Sequence, residues 1–473
     1  KIYFMKIIFQ TLVVFFSISI YAQGQNTIQV GNTTLTERSL LTGLGIAWDI
    51  VWGPDDHIWF TEREGKVKRL DPVSGNVIIV LDATSLVFNG NGTIEPGMLG
   101  MLFHPNYESN QQIYIVYTYG NSGVIKERLS RFEWNGTELA NEEIILDNIP
   151  ARSIHNGSRL ILLPDNTILM TTGDIGNQSN SQDMSSLNGK TLRINLDGSI
   201  PDDNPFPNSY IYSFGHRNSQ GLFLGPNDII YSSEFGPNSS DEINIIEEAR
   251  NYGWPNVLGI CNTGSEISFC NDNNVREPVH EWSNTPSPNG LLVYNHPAIP
   301  EWQNKLMVAM LGGISLKQPR VSVFDISEDG LELSNETKYF ETFGRVRDIC
   351  VNPNTGAIYF ATNGPEYFST SGPNRIVEYY NDDFVVDVKN VFHKNQYLKV
   401  YPNPVVEIIN IEVSENFIGK KLDFISFATG ALVMQKVVSQ TTENLNISDL
   451  PTGQYYISII NDNGLITKVF VKE

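Results

Sequence analysis

The chain has 473 residues, with 32 Lys and Arg against 53 Asp and Glu and a formal net charge of −21. That length calls for one large domain plus something smaller. A nucleic-acid binder needs a basic footprint, which this balance excludes; an acidic surface fits a soluble protein and says nothing about fold.

Lys1 to Phe4 read as upstream residues ahead of a start at Met5. Lys6 then precedes the apolar run IIFQTLVVFFSISI and the small-residue site YAQ, the layout of a signal peptide spanning residues 1–22 with cleavage near Ala22. The run falls short of the roughly 20 residues of a comfortable membrane span. A membrane anchor is therefore the weaker alternative, and no transmembrane segment is expected in the mature protein.

Six similar hairpins follow. They are IVWGPDDHIWFTE around Pro54, MLFHPNYESNQQIYIVYT around Pro105, LILLPDNTILMTT around Pro164, LFLGPNDIIYSS around Pro226, YNHPAIPEWQNKLMVAML around Pro297 and ICVNPNTGAIYFAT around Pro353. Each is a short apolar strand, a turn built on proline, and a β-branched or aromatic strand. Recurrence at roughly 50–70 residues predicts an all-β fold, a six-bladed β-propeller of four-stranded blades over about residues 30–381. No long 3.6-residue periodicity supports a helical fold, and a sandwich gives no reason for the repeat. Cys261 and Cys270 bracket a polar loop and could bridge it, whereas Cys350 sits in an apolar run and reads as a buried free thiol. No cysteine spacing points to zinc.

Composition changes after Tyr380. Residues 382–396 read as a linker, and residues 397–473 alternate as strands with hairpin turns, enough for a small C-terminal β-sandwich. Tyr401-Pro402-Asn403-Pro404, the run DLPTGQYYI and the terminal TKVFVKE resemble the C-terminal sorting domain of the bacterial type IX secretion system. The resemblance implies the type IX machinery as partner and a secreted or cell-surface protein. An ordinary sugar-binding or adhesion module is the alternative.

The loops between strands hold the polar residues a propeller would gather at one end of its channel. SIHNG offers His155, TTGD offers Asp174, and YSFGHRNSQG offers His216, Arg217 and Asn218. SEFGPNSSDEIN offers the carbonyls of Gly236 and Pro237 with Asp241 and Glu242 nearby, and GRVRD places Arg345 and Arg347 on one face of a strand. Singly each has a bland reading: a structural histidine, surface ion pairs, a turn. Together they supply a base, an orienting carboxylate, clustered cations and an oxygen cradle for calcium.

Over about residues 43–376 the chain resembles the soluble glucose/sorbosone dehydrogenase family, the quinoprotein aldose dehydrogenases. EPGMLGMLFHPNY, HNGSRL, TTGD, LNGKTLRINLDGSIPDDNPF, YSFGHRNSQGL, EFGPNSSDEIN, NYGWP and GRVRD carry the likeness, in the family's order. The resemblance implies a six-bladed propeller that uses pyrroloquinoline quinone (PQQ) and calcium. It implies His155 as general base, Asp174 as the partner that orients it, and Arg217 and Asn218 facing substrate and cofactor. Glu95 falls beside the quinone, and Arg345 and Arg347 fall on cofactor carboxylates. The carbonyls of Gly236 and Pro237 would hold the calcium that touches PQQ. Glu242 and Tyr252 fall where some members build a second calcium site. Many members bind the cofactor through a lysine where this chain has Gly312. Lys317 lies five residues later and is the candidate replacement, and a lysine placed at Gly312 is expected to tighten binding if that position faces the quinone.

The chemistry is consistent with this. A tricarboxylic quinone needs several cations, a neutral histidine can take the proton of a sugar hydroxyl near pH 7, and a carboxylate on its other nitrogen fixes the tautomer. The expected activity is oxidation of an aldose at C1 to the lactone, with electrons passing to an external acceptor. A non-catalytic sugar- or protein-binding propeller is the alternative, and a calcium-dependent lactonase a weaker third.

Overall fold

The computed structural model describes residues 26–90, 95–312, 319–341, 344–364, 374–384, 398–414, 417–426, 431–461 and 464–473. The expected signal peptide, Lys317 and residues 385–396 of the expected linker lie outside them. The chain divides into two compact units, residues 1–351 with 357–380, and residues 381–473 with 352–356.

In the first unit all six hairpins form. Ala47–Trp52 pairs with Ile58–Glu62, Met98–Phe103 with Gln112–Asn121, and Gly157–Leu162 with Ile168–Thr172. Ser219–Leu224 pairs with Ile230–Glu234, Pro288–Tyr294 with Lys305–Met310, and Arg345–Val351 with Ile358–Asn363. Five of these hairpins open four-stranded antiparallel sheets in simple chain order. The sixth is completed from the far end of the chain: Arg375–Tyr380 pairs with Thr33–Thr42, which pairs with Thr27–Val30. The sheet thus takes in residues just ahead of the expected start at residue 30. The leading strand of each sheet touches that of the next, and the sixth touches the first, so the six form a closed ring.

Ile58–Glu62, Ile168–Thr172, Lys190–Ile194 and Ile230–Glu234 are buried at every residue. Their sheets are covered on both faces, so the strands carry no apolar–polar alternation; Thr and Ser fill positions that would otherwise face water. Between the first two sheets Trp59, Val67, Met98, Ile115 and Tyr117 interlock, and Tyr231, Ile243, Leu306, Val308 and Phe324 do the same between the fourth and fifth. Each such side chain contributes about 1.5–3 kcal/mol of burial.

Cys261 and Cys270 are disulfide-bonded and Cys350 is a buried free thiol. The segment between the bonded pair is not a plain loop. Gly264–Asp272 is a helix, started by a capping box in which Thr263 accepts from the Glu266 N–H and Glu266 accepts from the Thr263 N–H. No helix among the described residues is long and apolar enough to cross a membrane.

In the second unit Leu398–Tyr401, Ile408–Val413 and Thr442–Asn446 form one sheet. Lys421–Ser426, Leu432–Val437, Gly453–Asn461 and Gly464–Lys472 form another. They share a core of Leu398, Ile409, Ile411, Phe417, Leu422, Phe424, Ile457 and Phe470.

Candidate active site

In an antiparallel hairpin the start of the first strand and the end of the second lie at the same end. Most residues lining one cavity of the ring come from these places. Glu95, Asn156, Gly157, Ser287 and Arg345 stand at or just before leading strands, and Arg63, Phe235 and Leu311 follow second strands. Trp48, Leu99, Gln220 and Arg347 complete the lining, around about 580 Å³ including the open mouth.

His155 and Asp174 meet beside the cavity without lining it, His155 directly ahead of the lining residues Asn156 and Gly157. His155 Nδ1 lies 2.7 Å from Asp174 Oδ1, and its backbone N–H donates to Glu95 Oε2 at 2.7 Å. The His155 φ is 57°, in the left-handed region that few non-glycine residues adopt. The glycine of TTGD is what lets the two segments close: a Cβ on Gly173 would sit 2.0 Å from the His155 carbonyl oxygen. Asp174 is almost fully buried and held on both oxygens. Gly176 N–H donates to Oδ1 at 2.7 Å and Trp254 Nε1 to Oδ2 at 2.9 Å. Burial alone would raise its carboxyl, but the His155 contact and charge and these two donors outweigh burial and hold it below the usual carboxylate range.

Arg217 and Asn218 border the cavity without lining it. Arg217 Nη1 donates to the Phe235 carbonyl at 3.1 Å, its N–H donates to Glu234, and its guanidinium lies over the Trp254 ring, 5.5 Å from the centroid. Asn218 Oδ1 accepts from Gln220 Nε2 at 3.0 Å. Arg217 Nε and Asn218 Nδ2 are buried donors that meet no acceptor among the described residues. His216 is buried away from the cavity, between Glu234 and Ser213.

Arg345 and Arg347 both line the cavity, joined by Arg63, which the sequence reading did not single out. Arg345 Nη1 donates to the Leu311 carbonyl at 3.1 Å. Burial, then repulsion from Arg345, Arg63 and Arg159, push Arg347 down to about 9, with Glu95 opposing. Packed guanidiniums facing a single carboxylate favour a polyanionic ligand. The cavity, its three arginines and the two orphaned donors fit a planar tricarboxylate such as PQQ.

The Gly236–Pro237 turn is tied to the cavity wall through Asp241, whose Oδ1 accepts the Gly236 N–H at 2.8 Å and Oδ2 the Ser287 N–H at 2.7 Å. Burial pushes Asp241 up to about 7 against those two bonds and Arg217. Neither the Gly236 nor the Pro237 carbonyl accepts a backbone N–H among the described residues, which fits neutral oxygens free for a calcium ion. Glu242 lies across from Glu234 on one neighbouring strand and Glu281 on the other. Burial, then the Glu234 charge, raise its carboxyl well above the usual range. The Tyr252 hydroxyl donates to the Ile245 carbonyl at 2.5 Å, and the ring stacks on His216. No group of three or more His, Cys, Asp or Glu side chains arranged to hold a metal occurs among the described residues.

Gly312 corrects one expectation. Its φ is +86°, and a Cβ there would lie 2.7 Å from the Pro319 nitrogen. A lysine at this position meets backbone and strain, so it offers no simple route to tighter cofactor binding.

Residues 44–367 match the model of the glucose/sorbosone dehydrogenase family, and residues 399–473 match the secretion system C-terminal sorting domain. The quinoprotein glucose dehydrogenase B of Acinetobacter calcoaceticus is 39% identical over 254 residues, 47% of this chain and 53% of that protein, so the match spans about half the relative's length. The aldose sugar dehydrogenase YliI of Escherichia coli (strain K12) is 27% identical over 346 residues, 70% of this chain and 90% of that one. The PQQ-bound aldose sugar dehydrogenase of Streptomyces coelicolor superposes with a TM-score of 0.62 at 26% identity, over 73% of this chain and 98% of the other.

Proposed function

The chain belongs to the glucose/sorbosone dehydrogenase family, and from that premise we propose that it is a PQQ- and calcium-dependent aldose dehydrogenase that oxidises the C1 hydroxyl of a sugar to the lactone. The observation that carries this reading is the His155–Asp174 contact of 2.7 Å, tied through the His155 N–H to Glu95 of the cavity that Arg63, Arg345 and Arg347 line. We read the six sheets as six propeller blades over about residues 30–381, and the two C-terminal sheets as a small β-sandwich after the linker.

Arg63, Arg345 and Arg347 would hold the cofactor carboxylates, with Glu95, Arg217 and Asn218 at the ring. Gly236 and Pro237 would hold calcium by their carbonyls, and Glu242 and Tyr252 a second ion. Bound PQQ supplies a hydride acceptor, made more electrophilic by calcium as a Lewis acid. The protein supplies the proton chemistry. Asp174 on Nδ1 fixes the His155 tautomer, leaving Nε2 to accept the anomeric hydroxyl proton, and it stabilises the resulting imidazolium. Trp254 and Gly176 keep that carboxylate aimed.

The sorting domain is the ground for proposing type IX export, with the protein secreted or on the cell surface behind a signal peptide, and electrons leaving to an external acceptor. The alternative, a propeller that binds sugar or protein without turnover, draws its support from Gly312, where the family's lysine has no room. Apoprotein given PQQ and calcium should reduce a dye when an aldose is added, and His155→Ala should lose that turnover while still binding PQQ. An absence of PQQ binding at high micromolar concentration with calcium present would sink the enzyme reading; a His155→Ala variant with near wild-type kcat would sink the assigned base.

A further inference from the structure

The motif LNGK contains a lysine that the mechanism above does not use. Lys190 opens the strand Lys190–Ile194 and is fully buried. Its ammonium donates to three backbone carbonyls, Asn180 at 2.6 Å, Asn188 at 2.9 Å and Ser181 at 3.2 Å. No carboxylate stands within ion-pair distance of it among the described residues. Burial pushes it down to about 7, against the more distant charge of Asp183. Three carbonyls converging on one cation is the arrangement of a bound-ion site, with the ion replaced by a side chain.

The residues gathered by this ammonium reach the active site. Asn180 Nδ2 donates to the Asp174 carbonyl at 3.1 Å. Ser181 Oγ donates to the His216 carbonyl at 2.6 Å, and its own carbonyl accepts the Gly215 N–H at 2.9 Å, which fixes the chain leading into Arg217. Gln182 Nε2 donates to the Trp254 carbonyl at 2.7 Å, and Trp254 grips Asp174 Oδ2. Three consecutive residues therefore each hold one part of the base's surroundings.

We propose that Lys190 is a positioning residue, whose ammonium gathers the 180–182 turn and through it keeps Asp174, Trp254 and Arg217 in register with His155. Without the ammonium the Asn188 carbonyl loses its side-chain donor and the Asn180 and Ser181 carbonyls keep only backbone donors, the Asp183 and Gly215 N–H groups among them, so nothing draws the turn onto the strand and the Asp174 carboxylate loses its fixed aim. The inference rests on the dehydrogenase reading for what Asp174 aims, but its primary readout needs no cofactor.

The experiment compares wild type, Lys190→Met and Asn180→Ala. In each apoprotein the Asp174 carboxyl is titrated by carbon-13 NMR; in the PQQ- and calcium-loaded proteins kcat and KM are measured. Both variants should move Asp174 upward toward the usual carboxylate range. Lys190→Met should lower kcat about tenfold to a hundredfold, the scale expected for a small misplacement of a catalytic group, with KM changed less than about twofold. Asn180→Ala keeps the ammonium and removes the Nδ2 bond to the Asp174 carbonyl, together with the exposed bond its Oδ1 accepts from Asn177 Nδ2, so it decides the matter should Lys190→Met fail to fold. If Asp174 titrates as in wild type in the folded variants and only thermal stability falls, the lysine is structural and the proposal is overturned. A wild type with no turnover would refute the dehydrogenase reading and leave the Asp174 titration to decide this one.

Discussion

His155 keeps a left-handed φ of 57° because its N–H, its ring and its carbonyl are all engaged, by Glu95, Asp174 and Ile175. Backbone strain of about 1–3 kcal/mol persists only where surroundings fix it, and such places cluster at functional sites. His155 and Asp174 were legible in the sequence because His155 opens HNGSRL and Asp174 closes TTGD, two short, recognisable motifs. Arg63 was not legible. It follows a strand as an ordinary charged residue, and only its place directly after a second strand, the place of Gly173 beside Asp174 in that hairpin, marks it. Its contribution can be measured directly. Arg63→Met keeps bulk and removes one cation, so PQQ affinity in a titration of apoprotein should fall about tenfold to a hundredfold, as for one lost charge-assisted bond; unchanged affinity would remove Arg63 from the cofactor site. At Gly312 the backbone decides against side-chain chemistry. Gly312→Lys should lower the melting temperature without tightening PQQ, and a stable variant with stronger binding would show that Pro319 can give way.

The hairpins were the most readable elements, because a turn built on proline between two apolar runs leaves few other outcomes. The sixth sheet was less readable: its outer strands, Thr27–Val30 and Thr33–Thr42, come from the other end of the chain, and local patterning carries no sign of a partner some 340 residues away. The helix Gly264–Asp272 was hidden in a polar stretch with little amphipathic signal, although Thr263 and Glu266 spell its capping box. The leading strands are also joined by a buried polar set centred on Arg159. Arg159 Nη1 contacts Asp49 Oδ1 at 2.7 Å and Asp348 Oδ2 at 3.0 Å, while Met101 N–H donates to Asp49, Ile50 N–H to Asp348, and Arg159 Nε to the Gln220 carbonyl. Five of the six leading strands take part. Removing one member of such a buried set leaves uncompensated charge, at a cost of about 3–5 kcal/mol. Arg159→Met should therefore lower the unfolding free energy by that order in urea titration, and a change under 1 kcal/mol, as for an exposed pair, would show that the strands do not depend on it.

Across the whole molecule, buried acids set how stability responds to pH. Glu127 is fully buried; its Oε1 accepts from Ser158, its Oε2 meets no partner among the described residues, and burial pushes it up to about 8 against that single bond. Asp49 is pushed up to about 8 as well, first by burial, with Arg159 opposing and Asp348 adding to the rise. In the unfolded chain both groups lose their protons near pH 4. Between about pH 4 and pH 8 these two groups thus bind more protons in the folded state than in the unfolded one, and their contribution to stability falls as pH rises through that window. Lys190 acts with the opposite sign in a higher window: its folded value of about 7 lies below its unfolded one, so its contribution to stability rises with pH above neutrality. Net charge of −21 burdens wild type and variants almost alike, so a single isosteric change isolates one group. Glu127→Gln cannot ionise. Its melting temperature should decline less steeply than wild type from pH 5 to pH 8 and stand above it at pH 8, where wild type begins to carry a buried, unpaired carboxylate. Parallel melting curves across that range would mean that Glu127 ionises as readily in the folded protein as in the unfolded chain, which would overturn its assignment.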